Sequence, residues 1–310
     1  MTSEYAMATT SKKPARSPRP GVPVTAATDS ATDSTGDCST DSLGSIPADD
    51  AVNAAAASRA ADPLFVGSLE KGMRVLQAFG ALHDTLGLTD LAALTGMGKS
   101  AAQRFAHTWE QLGYLEKDAR SRRFRLAPKV IELGYFFLRN DDLVAVAAPH
   151  LVALRERCDV AVNLSVRLGA DMIYLLRLPS RQLTLSEMLP GRRMPAWCNS
   201  AGRMLLAQLS DDDLQALLAA SHIEAYTART ETDRAALAAT IRQARMDGYA
   251  LAEDQVLLNQ TGAAVIVKGS TQRPLAAISA SAAASDYPAE RMVREVVPQL
   301  LSAANAIARG

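Results

Sequence analysis

The chain has 310 residues, 48% of them hydrophobic, and its 33 Lys/Arg and 33 Asp/Glu cancel to a formal net charge of zero. That balance excludes a nonspecific polyanion binder, and no apolar run approaches the ~20 residues of a membrane span. Cys38, Cys158 and Cys198 are far apart without a CxxC pair, which excludes common zinc-finger spacings and a disulfide framework and fits a reducing cytoplasm.

The first segment, residues 1–62, is rich in Ser, Thr, Ala, Pro and Asp, and Tyr5 is its only aromatic residue. It lacks the apolar core of a signal peptide. Too little apolar surface is available to offset chain entropy, so a disordered tail is expected. Residues 63–127 then read as a compact helical unit. Ser68 is a candidate cap for a helix with Leu69, Met73, Leu76 and Phe79 at helical spacing. Thr89 is a candidate cap for a short second helix carrying Leu91 and Leu94, with Gly96 as the turn out of it.

A third helix is expected from about Lys99 to Leu112. Ala102, Phe105, Ala106, Trp109 and Leu112 fall on one face, and Ser100, Gln103, Arg104 and His107 on the other. Hydroxyl, amide, guanidinium and imidazole groups suit base edges and phosphates, and a helix fits the major groove. Gly113–Glu116 and Arg122–Leu126 read as two strands around a turn at 118–121, so Arg120, Arg122, Arg123 and Arg125 cluster where a wing meets phosphates. The pattern predicts a winged helix-turn-helix whose DNA contacts are Lys99, Ser100, Ala101, Gln103, Arg104, His107, Arg120, Arg122 and Arg123.

Pro128 then opens a helix with Val130, Leu133, Phe137 and Leu138 as its apolar face, a connector over 128–142. An amphipathic helix over Leu143–Cys158 carries Val146, Leu151 and Leu154. The period changes to alternation at Val160–Val166 and Met172–Leu178 around Gly169–Asp171, a hairpin signal. A possible strand spans 183–189, and Arg192–Asn199 is loop-like. Helices follow from Asn199 or Ser200, at 210–219 and at 233–247. Two strands at 263–268 and 275–281 and a closing helix at 288–308 complete the chain. Strands and helices alternating irregularly around an antiparallel sheet give an α+β class for residues 143–310.

Several motifs in order resemble the IclR-type transcriptional regulators from residue 66 to about 308: Ser68–Gly72, Gly98–Arg104, Val162–Ser165, Gly191–Pro195, Ala201–Ala207 and Met246–Ala250. The resemblance implies a dimerising winged helix-turn-helix, a linker helix and a GAF-like domain that binds a small organic effector, often within dimers of dimers. The chain departs from the family's pattern in one loop. Gln255, Asn259 and Ile266 replace the usual acid, glycine and proline, and Gly262 stands where a hydroxyl or thiol is often found.

An effector pocket needs an apolar wall with a few convergent polar groups. Tyr174, Met194, Trp197, Asn199 and Ser200 are candidates, with Glu253 and Asp254 at the rim, and free N–H groups at the helix start would favour an anion. The expected partners are double-stranded operator DNA, a small organic acid with aromatic acids included, and further copies of the chain as a homodimer or dimer of dimers. No membrane partner and no cofactor are expected. The rival readings are a DNA-binding protein without ligand and a GAF-like domain with thiol chemistry. Catalysis finds little support: His83, His107, His150 and His222 lack metal-site spacing, and GxSxG, Walker and dinucleotide fingerprints are absent from the sequence.

Overall fold

The computed structural model describes residues 62–80, 83–180, 189–269 and 274–309. The expected tail and the possible strand at 183–189 fall outside these residues, apart from Asp62 and Leu189. At the N-terminal end, α1 (Gly67–Gln77), α2 (Leu88–Thr95) and α3 (Lys99–Gln111) enclose Val75, Leu86, Leu91, Ala102 and Ala106 together with Leu115 and Phe124 of the wing. Trp109 sets how α1 sits. Its indole N–H donates to the Gly72 carbonyl at 2.7 Å, and a Cβ on Gly72 would stand 3.5 Å from the ring. The indole therefore occupies the space of a missing side chain, and α1 turns Gly72 and Val75 inward. Leu69 and Met73, expected in the core, are instead 61% and 39% exposed.

Both expected hydroxyl caps are displaced. α1 starts after Val66 with no side-chain cap, and α2 starts after Gly87, whose N–H donates to Asp90 Oδ2 at 3.0 Å. The carboxylate of the helix's third residue thus takes the role expected of Thr89. Gly96 ends α2 at φ 67, the left-handed conformation that lets the chain turn sharply into α3. The wing is β1 (Leu115–Lys117) paired antiparallel with β2 (Phe124–Leu126), extended by a bridge from Leu86 to Phe124.

α4 (Val130–Asn140) buries none of its residues. Ile131, Leu133, Tyr135, Phe136 and Phe137 are all more than half exposed, and of the expected apolar face only Val130 and Leu138 are partly buried, Leu138 against the core of the C-terminal domain. α5 (Asp142–Cys158) follows at once, capped by Asp141, whose carboxylate accepts the Val144 N–H at 2.9 Å.

β3 (Ala161–Leu168) and β4 (Asp171–Leu178) form the expected hairpin. They join β5 (Arg193–Pro195), β6 (Ala250–Glu253), β7 (Gln260–Lys268) and β8 (Pro274–Ala283) in an antiparallel sheet of order β5-β4-β3-β8-β7-β6. The short edge strand β5 corrects the loop expected over Arg192–Asn199, and β6 is a strand the sequence reading did not include. Three or four residues carry too little alternation to register as strands without their partners.

Alternation gives the sheet two unlike faces. Val162, Leu164, Ala263, Val265, Val267, Ile278 and Ala280 pack under α5 and α10 (Val297–Ile307). α10 is reached from α9 (Ala289–Arg291) through one π-helical turn, Met292–Val296. The other face is covered by a 3-10 turn (Ala196–Cys198), α6 (Ser200–Leu206), α7 (Asp211–Ala220) and α8 (Arg234–Asp247). Every residue of α6 is buried. Gly202 permits this, since a Cβ there would meet the Ala196 carbonyl oxygen at 2.1 Å.

Candidate DNA-binding surface and effector site

The polar side of α3 is the exposed one. Ala102 and Ala106 are fully buried, Phe105 and Trp109 half-buried, and Lys99, Ser100, Gln103, Arg104 and His107 face solvent, with Ala101 between the two. Leu112, expected on the buried face, caps the helix and is 49% exposed. Among the described residues Lys99, Ser100, Gln103 and Arg104 make no side-chain hydrogen bond, so their donors are free for a partner. His107 Nδ1 lies 3.7 Å from Glu110 Oε2.

The wing sorts its arginines into two kinds. Asp118 Oδ1 accepts the Arg120 N–H, the Ser121 N–H and the Ser121 hydroxyl, which shapes the tip and holds its carboxyl below the usual range. Arg120 and Arg122 project from that tip into solvent, Arg122 at φ 59. Arg123 is committed elsewhere. It donates to Thr85 Oγ1 at 3.0 Å, the Thr85 carbonyl at 2.8 Å and Asp90 Oδ2 at 2.9 Å. The Gly87 N–H and then this guanidinium hold the Asp90 carboxyl low. Arg123 thus ties the wing to α2. Arg125 is paired with Glu116 at 2.6 Å.

In the C-terminal domain, the sheet face beneath α6 is polar where a packed core is apolar. Asn163 stands opposite Arg177 on β4 and Ser279 on β8, and Ser165 opposite Tyr174 and Ala277. Ser281 stands opposite Gly262. Asn163, Ser165 and Ser279 are 6%, 0% and 6% exposed, and the Ser165 hydroxyl has no hydrogen-bond partner. Arg177 donates to Asn163 Oδ1 at 3.4 Å and stacks over the Tyr174 ring, 4.4 Å from its centroid. From above, Ser200 reaches down to Gly262: a Cβ on that glycine would come within 3.2 Å of Ser200 Oγ. An orphaned buried hydroxyl costs free energy unless something bonds it, and here it lies among other hydroxyls and an amide.

Of the expected effector residues, Tyr174, Met194 and Trp197 belong to the packing on this face, and Ser200 sits above it. The Trp197 indole N–H is buried without a partner, and its ring centroid is 6.1 Å from that of Tyr226. Asn199 is committed to the backbone instead, where its Oδ1 accepts the Gly202 N–H at 2.9 Å as the cap of α6. The helix start therefore offers fewer free N–H groups than expected. Glu253 is exposed, and Asp254 accepts from Arg229 at 2.9 Å and from the Gln260 N–H at 3.3 Å. Both serve the loop rather than the polar face. Asn163, Ser165, Arg177, Ser279 and Ser281 were absent from the expected site. Asn163 and Ser165 lie in the Val162–Ser165 motif of the resemblance, while the other three are marked in the sequence only as polar residues within otherwise apolar strands.

The loop after β6 explains one departure from the family pattern. Asn259 holds φ 57, the left-handed conformation that a glycine adopts freely and that asparagine tolerates best among other residues. The thiol alternative finds no thiolate. Burial pushes the Cys198 thiol up to about 12, and Cys158 is also raised by burial.

Comparison with known proteins matches residues 135–309 to the C-terminal domain of bacterial IclR transcriptional regulators and residues 68–119 to the IclR helix-turn-helix domain. The Pca regulon regulatory protein of Pseudomonas putida is 30% identical over 243 residues, 78% of this chain and 83% of that protein. An IclR family regulator from Brucella abortus superimposes with a TM-score of 0.70 at 25% identity, covering 82% of this chain and 96% of the other. An IclR homologue from Microbacterium hydrocarbonoxydans, solved with 4-hydroxybenzoate, gives 0.65 at 25% identity over 78% and 98%. With its winged helix-turn-helix and its α+β effector-binding domain, the chain belongs to the IclR family and is a ligand-responsive, DNA-binding transcriptional regulator.

Proposed function

We propose that the chain senses a small aromatic acid on the polar sheet face beneath α6 and answers by changing its grip on operator DNA. The observation that carries this reading is the buried, unpartnered Ser165 hydroxyl on the same sheet face as Asn163 and Ser279. A flat ring suits such a face, and its polar substituents suit a hydroxyl that folds without a partner beside an amide. The 4-hydroxybenzoate bound to the Microbacterium homologue supports the chemical class.

On the DNA side, Gln103 and Arg104 of α3 read base edges, while Lys99, Ser100, His107 and the wing arginines Arg120 and Arg122 meet phosphates. The regulator works as a homodimer or a dimer of dimers, because the apolar side chains of α1 and α4 lie open in the single chain. Its role is regulatory and not catalytic, it needs no cofactor, and it acts where operator DNA is, in the cytoplasm. The test is a thermal-shift titration of the full chain with 4-hydroxybenzoate, benzoate and short aliphatic acids. A saturable rise of the midpoint with the aromatic acids alone is expected. No rise with any of them removes the reading.

A further inference from the structure

α6 carries a buried cation whose hydrogen bonds all go to neutral groups. Arg203 is 4% exposed; its Nε donates to the Trp197 carbonyl at 2.9 Å and its Nη2 to Gln255 Oε1 at 2.7 Å. It forms no ion pair among the described residues. Burial pushes its pKa down, and the carboxylate that opposes this shift, Glu231, acts through space alone. Glu231 is only half-buried, and its Oε1 accepts the Asp233 N–H at 2.8 Å.

Gln255 has no spare capacity. Besides Arg203, its Oε1 accepts the Glu231 N–H at 3.0 Å, and its Nε2 donates to the carbonyls of Arg229 at 2.9 Å and Glu253 at 3.1 Å. Only a primary amide supplies two donors and an acceptor in one plane; a carboxylate would turn an oxygen toward two carbonyl oxygens. The loop's own geometry therefore asks for glutamine at a position where the family pattern has an acid. Its consequence is electrostatic: the guanidinium is held in place without a bonded counter-charge.

We propose that Gln255 makes the effector site selective for anions, because it bonds Arg203 through a neutral amide and leaves a buried positive charge beside Ser200 and Trp197. Residues three apart on a helix are neighbours, so Arg203 lies next to Ser200, which reaches the sheet floor at Gly262. A buried charge is poorly screened and acts over such distances, whereas a bonded carboxylate would reduce it to a short-range dipole. The inference rests on the aromatic-acid reading and adds the group that favours the ionised ligand.

Titration calorimetry on the full chain with 4-hydroxybenzoate and 4-hydroxybenzamide tests it, since the two share ring and hydroxyl and differ in charge. The wild type should prefer the acid. Gln255→Glu and Arg203→Gln should each reduce the acid-to-amide affinity ratio by roughly tenfold, and Glu231→Gln should raise it. Using two routes to the same loss of charge guards against a variant that folds poorly, because a packing defect weakens acid and amide alike. An unchanged ratio in Arg203→Gln overturns the inference, as does a wild type that binds the amide as tightly as the acid. A wild type that binds neither compound overturns both the inference and the aromatic-acid reading.

Discussion

Single side chains in this protein divide by what they already bond. Gln103 and Arg104 are exposed with free donors. Alanine at either should weaken specific operator binding by about 1–3 kcal/mol each. Arg122→Ala should weaken all sequences alike and flatten the salt dependence. Arg123→Ala behaves differently: it removes the bonds to Thr85 and Asp90, so the melting temperature should fall as well as DNA affinity. Gel shifts at several salt concentrations, with melts on the same variants, separate these effects, and wild-type melting of Arg123→Ala would return that residue to the phosphate contacts. In the effector domain, Ser165→Ala removes a buried hydroxyl without a partner. It should leave stability unchanged or raise it by up to about 1 kcal/mol while lowering effector affinity. Gly202→Ala, facing a carbonyl oxygen at 2.1 Å, should cost about 1–3 kcal/mol or more. The two substitutions, each a small residue to alanine, are thus expected to move the melting temperature in opposite directions.

Among the elements, α4 is the one that a lone chain does not explain. An eleven-residue helix with no buried residue and five large apolar side chains in solvent has little in one chain to hold it, because helices of this length are marginal in water without tertiary packing. α1 adds Leu69 and Met73, with Leu64, Phe65 and Val66 exposed just before it. The proposed second copy, covering these side chains, would account for both. Phe136→Asp or Phe137→Asp should shift the protein toward monomer in sedimentation equilibrium, lower operator affinity steeply and leave effector binding by the C-terminal domain largely intact. A wild type that sediments as a monomer at micromolar concentration, with and without DNA, would remove this account of α4. The wing makes a second prediction at this scale. The Gly87 N–H and the Arg123 guanidinium hold the Asp90 carboxyl low, and the Ser121 and Arg120 hydrogen bonds hold that of Asp118 low. Groups depressed in the folded state stabilise it above their unfolded pKa, and that contribution is lost as pH falls through the folded values. Melting should therefore be level near neutrality and decline below the ordinary carboxylate range. Asp118→Asn should make the decline shallower.

Across the whole molecule, effector and DNA act at separate domains, and the chain between them is α4 followed by α5 with Asp141 as the joining cap. Coupling between such sites is typically about 1–3 kcal/mol and reciprocal, so saturating operator should change effector affinity by the factor that effector changes operator affinity. Calorimetry with and without operator measures one side of this cycle and gel shifts with and without effector the other. Unequal factors would mean that a further equilibrium, such as assembly, is being read along with binding.

The winged helix-turn-helix was legible in the chain because its signals are local: the period of Ala102, Ala106 and Trp109, the turn at Gly96 and the basic turn of the wing all lie within a few residues of what they determine. The β3–β4 hairpin and the helices beginning near Ser210 and Asp233 were legible for the same reason. Of the proposed effector site, only part was legible. Met194, Trp197 and Ser200 form a contiguous stretch, but Asn163, Ser165, Arg177, Ser279 and Ser281 come from strands more than a hundred residues apart in places. Strand order and register alone bring them to one face. Tertiary contacts also decided that α1 turns on Trp109, that Arg123 braces the wing, and that β5 and β6 are strands at all. Each of these outcomes is a choice between bonding partners distant in sequence, and the competing partner exists only once the fold has brought it near.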